Sequence, residues 1–120
     1  MTEYQYGCTL SRFSNDFNAT VNYFGAGSTE TAARNAVLNQ CRSTNFNEAF
    51  CSGASISCTR EVVEGSSCTW SKFSESAGTT IYYYGEGTSR TDAKRDTVDQ
   101  CLSSGRWQGW FCGSGTLSCS

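Results

Sequence analysis

Four cysteines occur twice in the same order. Cys8, Cys41, Cys51 and Cys58 in the first half are matched by Cys68, Cys101, Cys112 and Cys119 in the second, at offsets of 60, 60, 61 and 61 residues. One residue has therefore entered between Cys101 and Cys112. Spacing this regular implies an internal duplication, and eight cysteines in 120 residues imply a disulfide framework. A unit of that size buries too little surface to be comfortably stable alone, and covalent staples are the usual remedy. The expected domains are a first repeat over residues 1–60 and a second over 61–120, packed as one body.

If both repeats close on themselves in the same way, the expected bridges are Cys8–Cys58 with Cys41–Cys51, and Cys68–Cys119 with Cys101–Cys112. The first type would staple outer strands, and the second would pin a loop to the end of a helix. A rival pairing, Cys8–Cys41 with Cys51–Cys58, stays open on sequence grounds. Disulfides persist in oxidising compartments, so the expected location is secreted, periplasmic or at the cell surface. Met1, followed at once by polar Thr2 and Glu3, is read as a start residue added to a mature form. No apolar run approaches the roughly eighteen residues of a spanning helix, so no membrane insertion is expected.

Each repeat opens with a short strand, Tyr6–Phe13 or Cys68–Phe73, followed by a polar turn. A second strand, Ala19–Phe24 or Thr79–Tyr84, is rich in β-branched and aromatic residues. Gly25-Ala26-Gly27 and Gly85-Glu86-Gly87 are expected to break it. Ser28, Thr29, Thr88 and Ser89 then offer helix caps, and Ser89 with Asp92 approximates a capping box. Ala33, Val37 and Cys41 recur every four residues, as do Ala93, Thr97 and Cys101, which predicts a helix with one buried face. Arg95 and Asp99 are spaced for an ion pair on that helix.

An irregular loop and a last strand, Ala54–Cys58 or Gly115–Cys119, complete a β-β-α-β unit. The segment Thr59–Ser67 links the repeats. The fold class is α+β: small antiparallel sheets, each packed by one helix and related by a pseudo-twofold axis. Val21, Tyr23, Ile81 and Tyr83 should face the helices. Phe24, Tyr82 and Tyr84 should face away and need cover, either by stacking of the two repeats' sheets, which is the expected arrangement, or by a bound ligand.

The chain carries a formal charge of −2 with its basic residues scattered. That disfavours a nucleic-acid partner, whose binding needs a concentrated positive footprint. Histidine is absent, which removes the commonest general base and a common metal ligand. The cysteine gaps do not match a zinc site, and no metal or cofactor is expected. The Gly-x-Gly turns lack the third glycine of a dinucleotide fingerprint, so they are read as backbone turns. No cysteine is spare as a nucleophile. The acids lie mainly on the helix, the linker and the termini, with Glu86 in a glycine turn as the exception, and no catalytic residue is assigned. Asn18-Ala19-Thr20 matches a glycosylation pattern, read as a chance match.

The repeats differ most in their aromatics. Trp70, Trp107 and Trp110 stand where the first repeat has Leu10, Phe46 and Ala49, and Tyr82 and Tyr84 replace Asn22 and Phe24. Trp107 and Trp110 bracket Gln108-Gly109 beside Arg106, in the loop that received the insertion. Flat apolar faces beside an amide and a cation suit stacking on a sugar ring or anchoring a protein interface. The competing reading makes the tryptophans core plugs beside a disulfide, most strongly Trp70; Phe50 and Phe111 are read as core. The candidate binding residues are Arg106, Trp107, Gln108, Trp110, Tyr82, Tyr84 and Glu86.

Tandem duplication with disulfides resembles certain antiviral and microbial lectins in outline; no motif of theirs is present, and no residue role carries over. The expected function is a secreted, non-catalytic, lectin-like glycan binder. The alternatives are an inhibitor of an extracellular protease or cell-wall hydrolase, with Ser104–Phe111 as its wedge, and a structural surface component. The expected partner is a glycan or an extracellular protein.

Overall fold

The computed structural model describes residues 2–120, and Met1, the expected added start residue, lies outside the described residues. In chain order the elements are β1 (Tyr4–Ser14), β2 (Ala19–Gly27), α1 (Glu30–Arg42), α2 (Glu48–Ser52) and β3 (Ser55–Val62). There follow β4 (Ser66–Ser74), β5 (Thr79–Gly87), α3 (Arg90–Ser103), α4 (Gly109–Gly113) and β6 (Thr116–Cys119). The class is α+β, with two antiparallel three-stranded sheets ordered β2-β1-β3 and β5-β4-β6. Helices pack against both.

Tight turns set the hairpin registers. Asn18 (φ 51°) and Gly78 (φ 70°) adopt the left-handed conformation at the ends of the first turns, a region open chiefly to glycine and asparagine. The registers then pair Cys8 with both Gly25 and Cys58, and Cys68 with both Gly85 and Cys119. Four disulfides join Cys8–Cys58, Cys41–Cys51, Cys68–Cys119 and Cys101–Cys112. The long-range bridges cross between paired strands, and the short ones tie α1 to α2 and α3 to α4.

The glycine pairs extend β2 and β5 instead of ending them. Their φ values are not positive, so backbone freedom is not the reason for glycine here. A Cβ on Gly85 would lie 2.6 Å from the Thr97 backbone nitrogen and 2.7 Å from the Ala93 carbonyl oxygen. Glycine admits the helix against the strand. Gly25 plays the same part beneath Ala33 and Val37.

The long helices bury the stripes that their spacing predicts: Ala33, Val37 and Cys41 on α1, and Ala93, Thr97 and Cys101 on α3. Thr29 and Ser89 cap them, accepting from Ala32 N–H and Asp92 N–H. The reciprocal half of the capping box is displaced by one residue, since Asp92 accepts the N–H of Thr88. The Arg95–Asp99 ion pair forms at 2.8 Å. A second cap comes from the other half, where Glu61 on β3 accepts Thr91 N–H and Oγ1–H.

The loops and the link between the halves also differ from expectation. The loops after the long helices contain α2 and α4. The α2 turn is nucleated by Asn47, whose side chain accepts Phe50 N–H, and both turns are held by the short disulfides. The segment Thr59–Ser67 is mostly strand, because β3 runs on to pair Tyr4 with Val62 while β4 begins at Ser66.

The core joins Leu10, Val21, Tyr23, Val37, Trp70, Val98 and the disulfides around them. Trp70 is 1 % exposed and donates its indole N–H to Cys112 O at 2.9 Å, a core plug beside a disulfide. Tyr23 is fully buried and donates to Gly109 O at 2.8 Å. Burial pushes its phenol well above the usual range, against a smaller lowering by the Thr44 hydroxyl.

The cover on the strand faces turned away from the helices is one-sided. α3 packs against β4 and β5 and also against β1 and β2, whereas α1 packs on the sheet of β1–β3. Phe24 is 4 % exposed beneath that arrangement, but Tyr82 and Tyr84 are 54 % and 68 % exposed. The other half does cover Phe24, but with helix α3 and not with its sheet, and the two tyrosines are left uncovered. The packing does not establish the expected pseudo-twofold relation.

Candidate functional site

An open groove of about 690 Å³ runs between the end of the β4–β5 hairpin and the α3–α4 connection. Its lining includes Arg106, Trp107 and Gln108 from the connection, Trp110 from α4 and Lys72 from β4. Glu75 and Ser76 come from the hairpin turn, and Phe17 reaches in from the β1–β2 turn.

Gly105, with φ 68°, turns the chain out of α3. Ser104 Oγ then accepts the Arg106 N–H at 3.3 Å. Beyond it the indoles are fixed by internal partners. Trp107 donates to the Tyr83 hydroxyl at 3.0 Å and stacks on Phe111, with centroids 4.6 Å apart. Trp110 donates to Gln108 Oε1 at 3.0 Å. Both indole N–H groups are spent on the protein, so the rings offer faces and edges, not donors. The amide nitrogen of Gln108 is left on an exposed side chain.

Two cations border these rings. Lys72 Nζ stands 5.7 Å from the Trp110 ring and 5.5 Å from Phe111, and the Arg106 guanidinium lies 5.6 Å from Trp107. Cations at such distances are drawn to ring faces and held near them. Glu75 is the one carboxylate among the described residues lining the groove.

A second groove, about 330 Å³, occupies the corresponding place in the first half, lined by Arg12, Asn15, Asp16, Asn45, Phe46, Asn47 and Phe50. Phe17 borders both grooves. Arg12 donates to the Phe50 carbonyl and lies over the Phe50 ring at 4.6 Å. Phe46 stacks on Phe50 with centroids 4.0 Å apart, where the second half has Trp107 on Phe111.

The structure therefore brings together Arg106, Trp107, Gln108 and Trp110. It sets Tyr82, Tyr84 and Glu86 apart, on the outer face of the β5-β4-β6 sheet. Alternation along β5 puts them opposite Gly85, which faces α3. Sequence reasoning missed Phe17, Lys72 and Glu75. A usable signal for Lys72 was the basic residue at the same strand position in both halves, Arg12 and Lys72.

No group of three or more histidine, cysteine, aspartate or glutamate side chains placed to hold a metal ion occurs among the described residues. Among the described residues no helix is long and apolar enough to cross a membrane. No family model, no curated protein and no solved structure matches the chain.

Proposed function

We propose that the protein is a secreted, non-catalytic binding module that takes a glycan in the groove of Arg106, Trp107, Gln108 and Trp110. The observation that carries this reading is the pair of half-buried indoles with satisfied N–H groups, set beside hydrogen-bonding side chains in an open groove. A sugar ring has an apolar C–H face and a rim of hydroxyls. The ring face of Trp110 suits the first, and Gln108, Arg106, Lys72, Glu75 and Ser76 suit the second. A single carboxylate favours binding over glycoside hydrolysis, which ordinarily uses a pair.

On this reading the halves descend from one duplicated unit, and their grooves are unequal sites. The larger one carries the tryptophans; the smaller one keeps Phe46 and three asparagines. Two weak sites on one rigid body gain avidity against a multivalent ligand. Four disulfides in so small a body accord with an extracellular location.

An enzyme inhibitor would need a protruding wedge, and the Ser104–Phe111 stretch is instead held down through Trp107 and the buried Phe111.

The test is a broad glycan array probed with the oxidised protein and with Trp110→Ala and Trp107→Ala/Trp110→Ala variants, each checked for native near-ultraviolet circular dichroism. Binding by the parent that both folded variants lose is the expected result. A blank array for the parent would sink the glycan reading.

A further inference from the structure

The outer face of the β5-β4-β6 sheet is bare, and the chain itself contains a pattern for what covers such a face. On the other sheet the equivalent surface receives α3. Lys94 Nζ lies 5.7 Å from the Phe24 ring. Thr91 lies against Gly7, where a Cβ would come within 2.6 Å of it. Val98 borders a small cavity with Asn22 and Phe24. Gln40 completes the join, accepting Phe24 N–H and donating to Arg95 O and Asp99 Oδ1.

The central parts of that join, though not the Glu61 cap on Thr91, have counterparts that the other half leaves unengaged. In the aligned halves Tyr84 stands for Phe24 and is the most exposed large aromatic among the described residues. Gln100 stands for Gln40; it is exposed and donates only to Asp96 on its own helix, at 3.5 Å. On α1, Thr31, Arg34 and Leu38 stand for Thr91, Lys94 and Val98. Thr31 and Arg34 are exposed, with Arg34 paired to Glu30 of its own helix at 3.8 Å, and Leu38 is half-buried. The helix face and the sheet face are thus both present and both without a partner from the other half.

We propose that a second copy of this chain seats its α1 on the bare β4–β5 face, as α3 seats on β1–β2. Arg34 of the incoming copy takes the place of Lys94, with its guanidinium over the Tyr84 ring. The charges support that direction. Ala26 and Asp92 border the same cavity across the existing join. In the new join the strand position becomes Glu86 and the helix position becomes Ala32, so at this position the incoming helix adds no carboxylate to the Asp96 that already accepts Glu86 N–H. Asn35, in place of Arg95, offers Glu86 an amide donor. Gln100 reaches the incoming helix near Asn35 and Asn39. Ser67 replaces Gly7, so the start of the incoming helix stands further from β4 than Thr91 does from β1. A helix face on a sheet face is a heterologous contact, which extends into an open chain of copies instead of closing a dimer.

The experiment is sedimentation velocity over a rising concentration series for the parent, for Tyr84→Glu, for Arg34→Glu and for their equimolar mixture. Both substituted side chains are exposed, and circular dichroism verifies the fold of each variant. Expected are a ladder of species for the parent, monomers for each variant alone, and a discrete dimer for the mixture. In that mixture the intact α1 of Tyr84→Glu meets the intact sheet of Arg34→Glu. A parent that stays monomeric across the series overturns the proposal. So does an Arg34→Glu variant that associates like the parent, which would mean that two bare sheets meet face to face.

Discussion

Phe17, in the first β-turn, stacks on Trp110 with ring centroids 5.1 Å apart and planes inclined by 10°. The first half thus supplies a wall for the groove of the second. An aromatic pair of this kind is worth about 0.5–1.5 kcal/mol beyond its buried area. Phe17→Ala should leave the fold intact while freeing the Trp110 ring, weakening glycan binding about tenfold if about 1.4 kcal/mol of ring positioning is lost. A double-mutant cycle with Trp110→Ala, read by titration calorimetry and by urea unfolding, should show coupling in both measurements. Strict additivity in binding would mean that Phe17 does not position the ring.

Gln40 and Gln100 should respond oppositely to replacement by alanine in the monomer. Gln40 is buried and makes three hydrogen bonds, two of them to the other half. Its loss strands Phe24 N–H beside the core and should cost about 2 kcal/mol or more. Gln100 is exposed, and its loss should fall within about 0.5 kcal/mol of the parent. Urea denaturation of both variants at low concentration decides it; equal costs would contradict the stitching role of Gln40.

Acid should loosen the start of α3. Burial works against the Asp92 charge, but the Thr88 N–H, the Arg95 guanidinium and the Thr88 hydroxyl outweigh it and hold its pKa below the ordinary 3.8. A carboxylate depressed on folding contributes fully above its unfolded pKa, and the contribution fades as pH falls through the lower folded value. Part of the stability of the parent should therefore disappear as pH drops below about 4. Asp92→Asn should be less stable than the parent at neutral pH and converge with it in acid. A constant gap across a pH series of thermal melts would assign the effect to something other than this charge.

The two kinds of disulfide should differ in worth. Cys8–Cys58 closes 50 residues and Cys41–Cys51 only 10. On the chain-entropy account these constrain the unfolded chain by about 4 and about 3 kcal/mol respectively. Paired serine variants, Cys8→Ser/Cys58→Ser and Cys41→Ser/Cys51→Ser, compared by urea midpoint, should show the larger loss for the first. The opposite order would point to the α1–α2 junction as the weaker place in the native fold.

What could be read from the sequence was what repeats within it. Four-residue spacing located the buried faces of α1 and α3, and period-two alternation put Val21 and Tyr23 toward the helix. The five-residue α2 and α4 are too short to show a period. Arg106, Trp107, Gln108 and Trp110 are adjacent in sequence, so their shared groove was visible as a loop. Phe17 and Lys72 were not, because they enter through hairpin geometry and side chains from other strands. Least legible was which half covers which. Phe24 and Tyr84 occupy matching positions on matching strands, and the way the halves stack leaves one buried and the other exposed.

β1 is the central strand of its sheet, although it comes first in the chain. During synthesis from the N-terminus its outer edge waits for β3, and the sheet is finished only when Val62 has emerged. At that moment Phe24 faces solvent, because the helix destined to cover it begins at Arg90. A first half folded without α3 would be complete in strands yet open on one face. Any folding order that closes this sheet before α3 docks leaves that face open to a neighbouring chain.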